Sequence, residues 1–154
     1  MSFIVKMILK LLHKNKIKTY IILKNIFENK DIKDLYNGKI KNVCDKYKIL
    51  FKEKMPLLFH HFEKNEIEPE IYIYSWLKTL FSFNFDENIA EYIFKIFIYK
   101  NDFNVYIYAI LSILMVYEKE ILSKNSENIL SLLFSIKTVD INLFIENIQK
   151  LSKL

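Results

Sequence analysis

The stretch that decides the fold covers residues 56–85 and reads PLLFHHFEKNEIEPEIYIYSWLKTLFSFNF. Pro56 suits the first position of a helix, where its missing N–H needs no partner and its backbone angle is already helical. Pro69 disfavours helical geometry at Glu68 and then opens a second helix. The stretch therefore predicts two consecutive α-helices joined by a short turn.

The rest of the chain has the same helical character. Of its 154 residues 52% are apolar, while one glycine and two prolines leave few positions for hairpins and tight turns. Apolar residues recur at helical spacing in seven more segments. These segments are 3–12, 16–29, 41–54, 87–100, 103–122, 127–135 and 141–151. We expect an all-α fold, a single compact array of roughly nine short-to-medium helices in one domain covering residues 1–154.

Polar residues divide these helices from one another. Asp86 and Asp140 are the expected N-caps of the helices that follow them, and Ser126 is the expected N-cap of helix 127–135. Residues 31–36, which read DIKDLY, are expected to form a short turn together with Gly38. The connections between helices are therefore predicted to be short.

The opening residues, MSFIVKMILKLL, raise the question of a leader or a membrane helix. Lys6 and Lys10 interrupt the apolar run and no small-residue cleavage site follows, which excludes a signal peptide. A membrane helix needs about 20 mostly apolar residues, and this one reaches polar residues 13–16 first. Residues 103–117 also fall short of the roughly 18 residues of a span. No transmembrane segment is predicted, and the opening is interpreted as a mostly buried helix with a narrow lysine edge.

The charge pattern argues against a nucleic-acid partner. The formal net charge is +5, but all 23 basic residues are lysines, scattered among acids. Arginine, the best reader of base edges and phosphates, does not occur in the sequence. A nucleic-acid interface would need a clustered basic face, so no nucleic-acid binding is expected.

No constellation of side chains predicts catalysis or a cofactor. His60 and His61 point about 100° apart on a helix and cannot both bind one metal ion from regular positions. Gly38 is the only glycine, so no glycine-rich phosphate loop exists. Cys44 is the only cysteine; it has no disulfide partner and no nearby histidine, and it fits a reducing intracellular compartment. No catalytic, metal-binding or cofactor-binding residue is expected.

Residues 56–85 resemble the later part of the TBC domain, the domain of GTPase-activating proteins for Rab GTPases. That family shows a proline-led helix ending in a His-hydrophobic pair, then an Ile-x-Pro, then a Trp-centred helix finishing in Leu-Phe-Ser. The corresponding structural residues of this chain are Pro56, His61, Phe62, Pro69, Trp76, Leu80, Phe81 and Ser82. Residues 91–122 are similar to the family's segment leading into a long apolar helix, although Lys95 and Ile96 stand where the family has Trp-Asp.

The front of the chain extends the resemblance. Residues 1–4 resemble those that follow a Tyr-x-Gln-Gly motif of the family, and residues 19–23 fit its second helix. Family members accelerate GTP hydrolysis with an arginine finger and the glutamine of that motif, both of which lie upstream. This chain has no arginine, and its only glutamine, Gln149, falls in the last helix. The resemblance therefore implies a partial TBC domain over residues 1–154, lacking the upstream part that carries the Arg and Gln fingers.

Two explanations for the missing fingers stay open. The chain is either a piece of a longer active protein or a degenerate family member that only binds. Its start at a methionine within a motif favours the first explanation. In that case the apolar faces of residues 3–12 and of the central helix, residues 103–122, are expected to be exposed for want of partners.

The resemblance implies a role in vesicle traffic through a Rab-type small GTPase, in the cytoplasm or peripherally on the cytosolic face of endomembranes. The chain alone is expected not to activate a GTPase, because an arginine finger contributes about 10³- to 10⁵-fold and lysine lacks its planar fork. A second hypothesis, from another class, is a helical scaffold or membrane-surface module. That module would use the lysine-edged first helix and make no GTPase contact.

Overall fold

The computed structural model describes residues 2–152, and over this range the chain contains helices and turns but no strand. The predicted all-α class is therefore confirmed. Met1, the first of the residues that resemble those following the family's Tyr-x-Gln-Gly motif, lies outside the described residues. The eleven helices of residues 2–152 are α1 (Ser2–Leu11), α2 (Lys16–Glu28), α3 (Lys30–Tyr36), α4 (Ile40–Lys54), α5 (Pro56–Lys64), α6 (Pro69–Lys78), α7 (Glu87–Lys100), α8 (Asn104–Val116), α9 (Glu118–Leu122), α10 (Ser126–Ser135) and α11 (Ile141–Ser152).

Most helix boundaries follow the predicted local chemistry. Pro56 and Pro69 occupy the first turns of α5 and α6, as predicted. The carboxylate of Asp86 accepts a hydrogen bond from the Ile89 amide, and that of Asp140 accepts bonds from the first turn of α11. The predicted Ser126 cap is wrong by one residue, because the side chain of Asn125 accepts the bond from the Asn128 amide.

Two more helices are found than the sequence pattern predicts. Residues 31–36 lie in α3 rather than in a turn, because Asn29 both ends α2 and caps α3 by accepting bonds from the amides of Asp31 and Ile32. The predicted helix 103–122 is divided at Tyr117 into α8 and α9. The first difference comes from the local hydrogen bonds of Asn29, which leave the hydrophobic pattern unchanged.

The centre of the molecule is α8. Nine consecutive or nearly consecutive residues between Val105 and Leu114 are buried in α8, and α7 and α11 pack against this helix. Inside the interface with α11, the Ser112 hydroxyl donates a 2.9 Å hydrogen bond to the Phe144 carbonyl. The exposed apolar face that a truncated domain was expected to show on the central helix is therefore absent from α8. On α1, Ile4 and Ile8 are buried.

Helix lengths also bear on membrane topology. Among the helices of residues 2–152, none combines the length and the apolar character that a bilayer crossing requires.

Candidate functional site

Three of the eight TBC-like motif residues meet in an aromatic cluster between α5, α6 and α8. Phe62 lies edge-on to Tyr72 with ring centroids 5.6 Å apart, and Tyr72 lies edge-on to Trp76 at 6.1 Å. Trp76 contacts Phe81 at 6.2 Å, and Phe81 contacts Tyr106 of α8 at 5.8 Å. All five rings are buried, so this part of the motif holds α6 against its neighbours and is closed to a partner.

The Leu-Phe-Ser part of the motif is a turn that ends α6. Leu80 and Phe81 adopt left-handed backbone angles, with φ of 47° and 67°. The Phe81 amide donates a 2.8 Å bond to the Trp76 carbonyl, and the Ser82 hydroxyl donates to the Thr79 carbonyl. Such angles cost bulky side chains about 1–3 kcal/mol each, and the complete burial of Leu80 and Phe81 offsets that cost. These residues redirect the chain toward α7.

The remaining motif residues also have structural roles. Pro56 is exposed and Pro69 is buried, each within the first turn of its helix. The Nε2 atom of His61 lies 3.1 Å from the Lys124 carbonyl oxygen. This contact links α5 to the residues that follow α9. Because a carbonyl only accepts hydrogen bonds, this contact is a hydrogen bond in the tautomer that carries the proton on Nε2.

Neither histidine nor cysteine forms a reactive centre. His60 is exposed beside Glu63, whereas His61 faces Lys124, so the two rings do not converge. The part of the chain from residue 2 to residue 152 contains no group of three His, Cys, Asp or Glu side chains able to hold a metal ion. Burial, reinforced by the Glu70 carboxylate, raises the pKa of the Cys44 thiol to about 12. At neutral pH this thiol is therefore protonated and poorly nucleophilic.

A buried polar link between α4 and α6 was not predicted. The hydroxyl oxygens of Tyr47 and Tyr72 lie 2.7 Å apart, and neither residue is accessible to solvent. Burial raises the pKa of Tyr47 and of Tyr72, so both hydroxyls remain protonated. Helical spacing assigns Tyr47 to an apolar face, and no sequence signal indicates which hydroxyl it meets.

Charge is distributed unevenly along the chain. Residues 1–27 contain six lysines and no acidic residue, whereas the remaining residues contain 17 lysines and 18 acids. The expectation of lysines scattered among acids is therefore wrong for α1 and α2. In α1, Lys10 lies 2.5 Å from Glu87 and 3.6 Å from Glu91 of α7. The positive charge that α7 leaves uncompensated lies mainly in α2 and in the turn before it.

The outward face of α2 is apolar. Ile17, Tyr20 and Ile21 are 75%, 68% and 51% exposed. The inward face includes polar Thr19, which is buried and donates its hydroxyl hydrogen to the Asn15 carbonyl at 2.8 Å. We call the apolar stripe and the exposed lysines around it the α2 surface. Its members are Lys14, Lys16, Ile17, Lys18, Tyr20, Ile21 and Lys24.

An apolar groove lies beside the α2 surface. Side chains of α1, α2 and α7 enclose about 360 Å³ between them. Its lining includes Leu11, Ile22, Phe94 and Ile98, and Tyr99 stands at its edge with 88% of its surface exposed. The side of the molecule formed by α1, α2 and α7 therefore offers partners an apolar surface with a positive charge.

The only glutamine lies in another part of the fold. Gln149 is exposed on α11, whose buried residues Phe144, Ile148 and Leu151 face the core. Its position in the last helix is unrelated to a Tyr-x-Gln motif.

Comparison with known proteins gives a consistent result. A model of the Rab-GTPase-TBC domain matches residues 1–122, which include α1 to α9 and all eight motif residues. The chain is 37% identical over 51 residues to TBC1 domain family member 14 of Homo sapiens, and 35% identical over 51 residues to the proteins of that name from Bos taurus and Rattus norvegicus. Each aligned segment covers 33% of this chain and 7% of the relative's length.

Proposed function

Since this chain belongs to the Rab-GTPase-TBC domain family, we propose that it takes part in regulating a Rab-type small GTPase by binding to it. The match of the family model over residues 1–122 is the observation that carries this proposal. The buried aromatic cluster and the Leu-Phe-Ser turn support it, because in residues 56–85 the motif residues hold the helices together, as a scaffold motif of the family would.

We propose further that this chain does not accelerate GTP hydrolysis on its own. Every one of its 23 basic residues is a lysine, and a lysine ammonium lacks the planar fork with which arginine offsets the charge on a transferring phosphoryl group. Gln149 of α11 lies outside any motif that would let it orient the attacking water. The side chains available here suit recognition of a GTPase better than catalysis.

The resemblance supports assigning residues 1–154 to the part of a TBC domain that follows the two finger motifs. On this proposal the chain contributes a binding surface, and residues 1–154 supply neither an arginine finger nor a glutamine finger. The proposed setting is vesicle traffic, in the cytoplasm or at the cytosolic face of endomembranes.

The test combines binding with single-turnover hydrolysis. A panel of Rab proteins is loaded with GTP or GDP, binding of the purified chain is measured by biolayer interferometry, and phosphate release is followed with the chain in excess. We expect at least one GTP-loaded Rab to bind the chain. Hydrolysis should be accelerated less than roughly threefold, whereas an arginine finger accelerates it about 10³- to 10⁵-fold. A TBC domain with both fingers is the positive control.

The two parts of the proposal fail separately. If no Rab protein binds in either nucleotide state, GTPase recognition by this chain is wrong. If a Rab binds and hydrolysis rises well beyond threefold, recognition is correct and the proposed lack of catalysis is wrong.

A further inference from the structure

We propose that the α2 surface docks on a bilayer of anionic phospholipid. In this arrangement α2 lies parallel to the membrane, the side chains of Ile17, Tyr20 and Ile21 enter the headgroup region, and the lysines around them contact the lipid phosphates. The proposal goes beyond GTPase recognition and does not depend on it.

The orientation of α2 exposes an apolar stripe. Ile17, Tyr20 and Ile21 stand at positions i, i+3 and i+4, so they form one stripe along the helix. This stripe faces solvent and the core-facing side holds polar Thr19 beside Ile26, so α2 does not direct all of its apolar residues toward its own domain. A helix lying at a membrane interface has this arrangement, with its apolar side directed away from the protein.

The charge of the α2 surface favours an anionic bilayer as its partner. Lys14, Lys16, Lys18 and Lys24 are exposed, and none of them forms an ion pair within residues 2–152. The first acidic residue of the chain is Glu28, at the end of α2, so residues 2–28, which include α1 and α2, contain six lysines and a single acid. Each lysine near an anionic bilayer raises the partition constant roughly fivefold, and four of them raise it several hundredfold.

Ion pairs between α1 and α7 indicate which helix of this side faces the bilayer. Lys10 is engaged by Glu87 and Glu91 of α7, so the lysine edge of α1 is partly neutralised. A docking face centred on α2 avoids these acids. Lysine is a strongly hydrated point charge, which suits the diffuse negative field of an anionic bilayer. The lysines and the apolar stripe are needed together, because neither one alone gives stable membrane association.

The first test asks whether the lysines of the α2 surface, rather than the net charge of the chain, cause vesicle binding. Binding of the chain to vesicles of phosphatidylcholine, with or without phosphatidylserine, is measured by co-sedimentation. The triple variant Lys14→Gln, Lys16→Gln, Lys18→Gln is expected to lose roughly 100-fold in partition constant. The control variant Lys41→Gln, Lys64→Gln, Lys137→Gln removes three exposed lysines elsewhere, and its binding should stay within roughly threefold of the unmodified chain.

The second test examines the apolar stripe, with control residues of similar exposure on other helices. Ile17→Gln combined with Tyr20→Gln should weaken vesicle binding by about tenfold or more. The control combines Ile49→Gln with Leu57→Gln, two apolar residues that are 69% and 66% exposed on other helices, and should bind as the unmodified chain does. Because all four side chains are exposed, the variants should fold normally.

A spectroscopic readout shows whether the stripe enters the bilayer. Trp76 is the only tryptophan and is buried, so its fluorescence should be insensitive to brominated lipid chains. Tyr20→Trp adds a second fluorophore on the stripe, and its emission should be quenched by brominated phosphatidylserine vesicles.

Several outcomes would overturn the proposal. Equal binding to phosphatidylcholine alone, equal loss in the two lysine variants, or absence of Tyr20→Trp quenching would each do so. Sedimentation velocity showing a dimer that Ile17→Gln with Tyr20→Gln dissociates, together with no vesicle binding, would assign the stripe to a second copy of the chain instead. The vesicles hold no GTPase, so none of these results bears on Rab recognition.

Discussion

The hydroxyl pair of Tyr47 and Tyr72 gives a quantitative test of how α4 is joined to α6. Tyr47→Phe keeps the ring and its contact with Phe51, whose centroid lies 5.3 Å away, but leaves the Tyr72 hydroxyl without its 2.7 Å partner. A buried hydroxyl left unpaired costs about 1–3 kcal/mol, and Tyr72→Phe should cost a similar amount. The double variant removes both hydroxyls together and should lie within about 1 kcal/mol of the unmodified chain.

The assay is urea unfolding of the four proteins, followed by far-UV circular dichroism. In a domain of this size about 1 kcal/mol corresponds to about 2–4 °C in Tm, so in thermal unfolding each single variant should melt about 2–12 °C lower. Because each single loss is about 1–3 kcal/mol and the double loss at most about 1 kcal/mol, the coupling energy between the two positions should be about 1–6 kcal/mol in magnitude. Additive losses, with the double variant as unstable as the two single variants combined, would show that the hydroxyls do not pair.

Tyr106 provides the matched control for this cycle. Its hydroxyl is also buried but has no hydrogen-bond partner within the described residues, and its ring contacts Phe97 and Phe103. Tyr106→Phe should therefore be neutral or stabilising, by up to about 1 kcal/mol, in the same urea experiment. A loss as large as that of Tyr47→Phe would mean that removing a tyrosine hydroxyl is harmful for reasons unrelated to pairing.

Three further predictions concern pH, capping and the core. The pKa of Cys44 is raised in the folded state, so stability is complete below pH 9 and should fall by up to about 1.4 kcal/mol per pH unit as the pH rises toward 12. In Cys44→Ala the fall should begin only near pH 10, where tyrosines of the unfolded chain ionise, and an unchanged profile would exclude the thiol. Asn125 caps α10, so Asn125→Ala should lower the free energy of unfolding by about 1 kcal/mol and Ser126→Ala by less than about half of that, as measured by thermal unfolding. The opposite order would show that Ser126 is the cap. Ser112→Ala should cost about 1 kcal/mol in urea unfolding, since the buried Phe144 carbonyl loses its donor, and no change would show that this carbonyl is satisfied otherwise.

The positions of the long helices could be predicted because their signals are local. Proline at the start of α5 and α6 and aspartate before α7 and α11 each act on backbone groups within one turn. The same locality explains why α3 was missed. Asn29 caps it with two bonds, but an asparagine followed by charged residues also fits a turn, and only the burial of Ile32 and Leu35 favours the helix.

The direction in which α2 faces could not be predicted from its periodicity. Apolar residues occur on nearly every side of this helix, so the spacing is compatible with more than one buried face. The observed choice buries Ile26 and half-buries Ile22 and Leu23, and it leaves Tyr20 outside. It depends on where α1 and α3 approach α2, which is a property of tertiary packing.

The motif residues and the exposed residues answer different questions about this chain. Phe62, Trp76 and Phe81 are buried, so they identify the scaffold but cannot touch a partner. Recognition must use exposed groups, and the proposed GTPase and the proposed bilayer could both contact the side formed by α1, α2 and α7. A GTPase held at a membrane can be bound by a membrane-docked chain only if the two contacts use separate surfaces. The triple variant Lys14→Gln, Lys16→Gln, Lys18→Gln should therefore lose vesicle binding and keep GTPase binding in solution. Loss of both would place the GTPase on the α2 surface, where it would compete with the bilayer.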